Sequence, residues 1–205
     1  MKNILIFGDS ITQGYFAVDN FVVRLIVKYL KFTFKHHELV FVQNLGKIGD
    51  TSYDLAKRME ENIKLRNHFG KITIIISIGL NDSRVNNKKK SVQVSEKDYL
   101  KNLKKIYEIA SKYSNKIIFV GLSNVDETKT APCFWDKQFS YKNKLIIKYD
   151  NALKKFAKNN GVPYVETFNK LDTDFLIDGI HPTHKGHKIL FDLINKELEL
   201  SPIPL

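Results

Sequence analysis

The sequence predicts an α/β domain built around a parallel sheet, and three observations carry that expectation. Short β-branched or apolar runs alternate with longer segments of helical period. Most of those runs are apolar almost throughout, as strands are when helices cover both faces of their sheet. With 205 residues, 43% of them apolar, the chain can bury one substantial core but is short for two independent enzyme domains. One domain over residues 1–205 is expected.

Strands are expected at Asn3–Phe7, Leu39–Gln43, Ile72–Ile78, Lys116–Gly121 and Val162–Glu166. Between them, Leu55, Met59 and Ile63 recur every fourth residue and mark one face of a helix. Leu103, Ile106/Tyr107 and Ala110 form a second stripe, and Leu145, Tyr149, Leu153 and Phe156 a third. Asn159-Asn160-Gly161 has the composition of a helix C-terminus, and Pro163 then opens a strand suited to a sheet edge. A last helix is expected from about His184 to Leu198, followed by the Pro-containing tail Ser201–Leu205. The one long irregular connection, Ser123 to Tyr141, carries Pro132, Phe134 and Trp135, and loops of that length in compact domains are often functional.

Composition narrows the partners. The net charge of +11 raises nucleic acid or an anionic membrane, but the charge is diffuse. Arg24, Arg58, Arg66 and Arg84 are the only arginines, and Lys88-Lys89-Lys90, the one basic cluster, reads as a solvated loop. No nucleic-acid partner is expected. No apolar run approaches the roughly 20 residues of a membrane-spanning helix, and MKNILIFGDS passes from the start methionine into a strand-like run, so neither membrane insertion nor a signal peptide is expected. Cys133 stands alone, which rules out a disulfide within the chain and fits a reduced, cytoplasmic setting.

The chemistry lies where strands end. Gly8-Asp9-Ser10-Ile11-Thr12-Gln13-Gly14 places a serine just past the first strand, at the sheet edge where open α/β folds bind ligands. By itself the segment reads equally as a capped turn. Asp178-Gly179-Ile180-His181-Pro182 adds a carboxylate and an imidazole three residues apart. A serine hydroxyl needs a base to take its proton, and the base needs a third group to hold its tautomer. Ser10, His181 and Asp178 fill those roles. Donors for an oxyanion are available in the glycine-containing loop from Asn44 through Gly49 to Ser52 and in Gly79-Leu80-Asn81-Asp82, although each also reads as a turn.

Together these four segments resemble the blocks of the SGNH, or GDSL-like, hydrolase superfamily: Gly-Asp-Ser10, Asn44 to Asp50 with Gly49, Gly79-Leu-Asn81-Asp, and Asp178-Gly-Ile-His181-Pro, in order from Ile4 to about His187. The resemblance implies a flavodoxin-like three-layer α/β/α sandwich with about five parallel strands. It implies a serine esterase with a Ser10-His181-Asp178 triad, an oxyanion hole from the amides of Ser10 and Gly49 and the side chain of Asn81, and no metal or organic cofactor. Gly49, which precedes Asp-Thr-Ser, fits the second block better than Gly46.

Asp9, Phe134 and Trp135 are the expected substrate contacts, the two rings either walling an acyl pocket or plugging the core. The expected substrate is a small ester with a short acyl or acetyl group. Lysophospholipase, thioesterase or acyltransferase chemistry would use the same residues. Two rival readings carry less. His181, His184 and His187 have a ligand-like spacing, but Pro182 breaks any single helical face through them. A phosphate-cradling nucleotide binder would want a glycine-dense loop or a Walker lysine, and Gly8–Gly14 has neither, while hydrolysis of a chromogenic short-chain ester would separate an enzyme from an inactive sugar-binding relative. The oligomeric state is not written in the sequence.

Overall fold

The computed structural model describes residues 1–66 and 70–200; the tail Ser201–Leu205 lies outside the described residues. Five strands form the central sheet: β1 (Lys2–Gly8), β2 (Val40–Gly46), β3 (Lys71–Ser77), β6 (Lys116–Val120) and β8 (Tyr164–Val165). Their order is β2-β1-β3-β6-β8 and every pairing is parallel. All seven residues of β1 are buried, since this strand has neighbours on both sides and helices on both faces. The register sets Gly8 opposite both Gly46 and Ser77, so the loops after β1, β2 and β3 leave the sheet at one level.

Two helices pack on one face, α2 (Phe21–His36) and α7 (His184–Leu200). α3 (Ser52–Lys64), α4 (Glu96–Tyr113) and α6 (Asn143–Asn159) lie on the other. The stripe Leu55, Met59 and Ile63 is fully buried, as is the face Leu103, Ile106 and Ala110. In α6 the buried apolar positions are Ile146, Tyr149, Leu153 and Ala157. Leu145 and Phe156, expected in that stripe, sit at its margins and are half-buried.

Helix starts follow local chemistry. Asn20 opens α2 by accepting from the amides of Val22 and Val23, and Thr51 with Asp54 forms a reciprocal capping box on α3. A second, antiparallel sheet joins three two-residue strands, β4 (Val85–Asn86), β5 (Ser91–Val92) and β7 (Phe139–Ser140). It ties the loop after β3 to the far end of the long connection. That connection also holds the short helix α5 (Glu127–Thr130) and closes on itself where the Tyr141 amide donates to Thr130 O at 2.9 Å and Thr130 Oγ1 donates to Tyr141 O at 3.0 Å.

Candidate active site

In a sheet of this order, strands to either side of β1/β3 connect over opposite faces, and the crevice that opens beyond their carboxyl ends is where ligands bind. Ser10 begins the four-residue helix α1 (Ser10–Gln13) immediately after β1. The side chain of Asp9 caps α1 through the Ile11 amide at 3.0 Å, and this turn presents Ser10 Oγ to the crevice. Asp9 itself is almost fully buried, and burial raises its pKa to about 6 against the weaker opposing effects of the Ile11 amide and the His181 charge.

Residues 178–181 form a tight loop between β8 and α7. One oxygen of Asp178 accepts the amides of Ile180 at 3.0 Å and His181 at 2.8 Å, while the other lies 2.6 Å from His181 Nδ1. His181 Nε2 stands 2.8 Å from Ser10 Oγ, across 171 positions of sequence. Burial pushes the Asp178 carboxyl up, but the His181 side chain and these two amides outweigh it and hold Asp178 below the ordinary aspartate value. Asp178 is thus kept anionic, an acceptor for the Nδ1 proton, and Nε2 is left with its lone pair toward the serine.

The loops after β2 and β3 bring Gly49 and Asn81 to the same place. Gly49 has φ of 77°, a conformation that penalises any side chain, and space for a Cβ opens beside it. Gly46 differs: a Cβ there would fall 2.2 Å from the Gln13 amide, so this glycine serves the close approach of α1 to β2. Among the described residues the amides of Ser10 and Gly49 have no acceptor. Asn81 is held twice, its Nδ2 donating to Asp50 O at 3.0 Å and its Oδ1 accepting from Tyr141 OH at 2.7 Å. These partners fix which end of the amide is which, and leave one N–H of Nδ2 free for a ligand oxygen. Behind the loop, Arg58 Nε donates to Asp50 Oδ2 at 2.6 Å and its Nη2 reaches Leu45 O at 2.8 Å and Gly8 O at 3.2 Å. This one side chain ties the ends of β1 and β2 to α3.

All of these groups face a cavity of about 390 Å³. Ser10, His181, Asp178, Gly49, Asn81 and Asp9 line it, together with Tyr15, Phe16, Ile48, Leu80, Arg84, Phe134, Trp135, Tyr141 and Ile180. Phe134 and Trp135 are 65% and 44% exposed, so the rings stand at the cavity wall and not in the core. Tyr15 and Phe16 set their edges against the His181 ring, with centroids 5.3 and 5.7 Å away. The sequence reading did not single out Tyr15, Phe16, Arg84 or Tyr141; proximity of Tyr15 and Phe16 to the Ser10 segment is the only signal that pointed to any of them. His187 lies in the core with neither ring nitrogen hydrogen-bonded, and among the described residues no three metal-ligating side chains converge.

The fold is a three-layer α/β/α sandwich with a crevice at the carboxyl ends of its strands, and the family match makes the chain a carboxylic ester hydrolase. The chain belongs to the GDSL-like Lipase/Acylhydrolase family, whose sequence model matches residues 6–189. It is similar to the isoamyl acetate-hydrolyzing esterase of Saccharomyces cerevisiae, 27% identical over 222 aligned positions that cover 97% of this chain and 86% of the yeast protein. Two solved structures share the fold. A lipase/acylhydrolase from Enterococcus faecalis superposes with a TM-score of 0.75 at 24% identity, covering 100% of this chain and 99% of the other. An acetylxylan esterase from Geobacillus stearothermophilus superposes with a TM-score of 0.70 at 22% identity, covering 96% and 93%. No helix among the described residues is long and apolar enough to cross a membrane.

Proposed function

We propose that this chain, acting as a single hydrolase domain, cleaves short-chain acyl esters, acetyl esters foremost, with Ser10 as nucleophile. The observation that carries this reading is the hydrogen-bonded line from Ser10 Oγ through His181 to Asp178, at 2.8 and 2.6 Å. His181 Nε2 takes the hydroxyl proton as Oγ bonds to the ester carbonyl carbon, and the carbonyl oxygen becomes an oxyanion. The amides of Ser10 and Gly49 and the free N–H of Asn81 receive that charge, a term of about 2.7–4 kcal/mol per donor in comparable sites. His181 then returns its proton to the alkoxide oxygen, the alcohol leaves, and an acyl-Ser10 intermediate remains. Water attacks this intermediate with His181 again as base, which releases the acid and restores the hydroxyl.

Two observations favour a short acyl group. Ile48, Leu80, Phe134 and Trp135 bound the cavity at a size near the lower end of small-molecule sites, about 300–1,000 Å³. The yeast relative, by its name, hydrolyses an acetate ester. A serine-directed phosphonate should add one equivalent of mass to the peptide bearing Ser10, and Ser10→Ala should abolish hydrolysis of 4-nitrophenyl acetate. Labelling at another residue, or undiminished turnover in Ser10→Ala, refutes the assignment.

A further inference from the structure

Arg84 follows Asn81 by three residues and is held at the margin of the small antiparallel sheet. Its carbonyl accepts from the Gln93 amide at 2.7 Å, and the next residue, Val85, pairs with both Val92 and Ser140. Its guanidinium carbon lies 4.0 Å over the Phe139 ring, and the side chain lines the cavity that contains Ser10. The other three arginines each donate to an oxygen: Arg24 to Asp19, Arg58 to Asp50, Arg66 to the Asn62 carbonyl. Arg84 instead lies beside the Tyr141 hydroxyl. Among the described residues it makes no ion pair, and its Nε is buried with no hydrogen-bond partner.

A guanidinium cannot shed its proton, so a partly buried one with no counter-ion retains an unmet demand for anionic oxygen. Stacking on Phe139 satisfies the face of the group, and the Tyr141 hydroxyl beside it is a neutral hydrogen-bond partner, so neither supplies the anionic oxygen that would balance its charge. The planar fork suits a carboxylate or phosphate, which it can grip with two parallel hydrogen bonds. We infer that Arg84 sets specificity in this site by binding an oxyanion carried on the ester substrate, a carboxylate or a phosphate, so that the preferred substrate is an anionic short-chain ester. This rests on the ester-hydrolase reading above, and it assigns the substrate's charge.

Binding to the Ser10→Ala protein tests it without turnover. Non-hydrolysable amides are titrated by calorimetry: neutral acetanilide, 4-acetamidobenzoate and 4-acetamidophenyl phosphate with the anion on the alcohol-equivalent side, and succinanilate with it on the acyl side. At least one anionic amide should bind tenfold or more tighter than acetanilide. That preference should fall at least tenfold when Arg84→Gln is added, and raised salt should weaken it. Comparison of the three anionic compounds then tells carboxylate from phosphate and one side from the other. Equal binding of charged and neutral compounds overturns the inference, as does a preference untouched by Arg84→Gln. Should Arg84→Gln fail to fold, Arg84→Lys keeps the charge without the fork: a preference reduced threefold or more supports the assignment, and an unchanged one overturns it. Since this binding needs no nucleophile, its failure would leave phosphonate labelling of Ser10 standing, and failure of that labelling would leave the charge preference standing.

Discussion

Asn81 shows how one side chain acquires a direction. The Asp50 carbonyl and the Tyr141 hydroxyl bind opposite ends of its amide, so a single N–H is left to face the cavity. Asn81→Ala should lower kcat by about 10²–10³ with little change in KM, the pattern of a donor used only in the transition state. Tyr141→Phe, which leaves Asn81 in place but frees its rotation, should give a smaller loss of the same kind, on the order of tenfold in kcat. An effect on KM alone, or a parallel collapse of thermal stability, would instead make Asn81 a turn residue. At this scale Ser10, Asp178 and His181 are legible as candidates from their place after a strand or in a tight turn, whereas Asn81 reads locally as a turn residue and Gly49 stands out from Gly46 only through the resemblance to the family's blocks. Tyr141 and Arg84 reach the cavity through pairing of β4 with β7, a contact between segments more than fifty positions apart that no local pattern records.

Among the elements, the long connection decides the shape of the cavity. Its backbone is pinned between Thr130 and Tyr141 and again where the Cys133 amide donates to Phe139 O at 2.9 Å, so Phe134 and Trp135 are offered outward on a braced loop. The two rings meet edge to face with centroids 4.9 Å apart. Trp135→Ala should shift the preferred ester toward longer acyl chains while acetyl esters still react, since one methylene in such a pocket is worth about 1–3 kcal/mol of discrimination. A chain-length series of 4-nitrophenyl esters measures this, and an unaltered preference accompanied by lost stability would sink it. The centre of the sheet was legible because β1, β3 and β6 are buried on both faces and read as nearly unbroken apolar runs, whereas the edge strand β2 is partly exposed and β8 keeps only Tyr164–Val165 of the expected Val162–Glu166. The helix Phe21–His36 was not, because FVVRLIVKYLKFTFKH is rich in the Val and Phe that favour strands and its identity is settled by packing on β2 and α7. Strands of two residues such as β4, β5 and β7 are too short to carry a period.

For the whole molecule, one pH-sensitive group lies away from the chemistry. His187 is fully buried on α7 beside Phe21, and burial, followed by the Arg24 charge, pushes its pKa down to about 4. The folded state therefore takes up this proton less readily than the unfolded chain, whose histidine titrates near 6.5. Its contribution to stability is complete above pH ~6.5 and is lost as pH falls from there toward 4, on the order of 2–3 kcal/mol. Burial raises Asp9 and Asp82 to about 6, which acts in the opposite sense over the same range, so the test is a difference: from pH 7 to 4.5 the urea midpoint of His187→Leu should move upward relative to that of the parent, and identical changes in both proteins would exclude this histidine. The order in which the chain is made has a consequence of its own. Ser10 emerges early and its base 171 positions later, which at ribosomal speeds of about 5–20 residues per second is a delay of roughly ten to thirty seconds. A chain made only through β6 lacks Tyr141, which orients Asn81, as well as Asp178 and His181. On the proposed triad, acyl transfer to Ser10 therefore waits for the loop that follows β8, and a chain cut short before residue 178 should carry the serine without esterase activity.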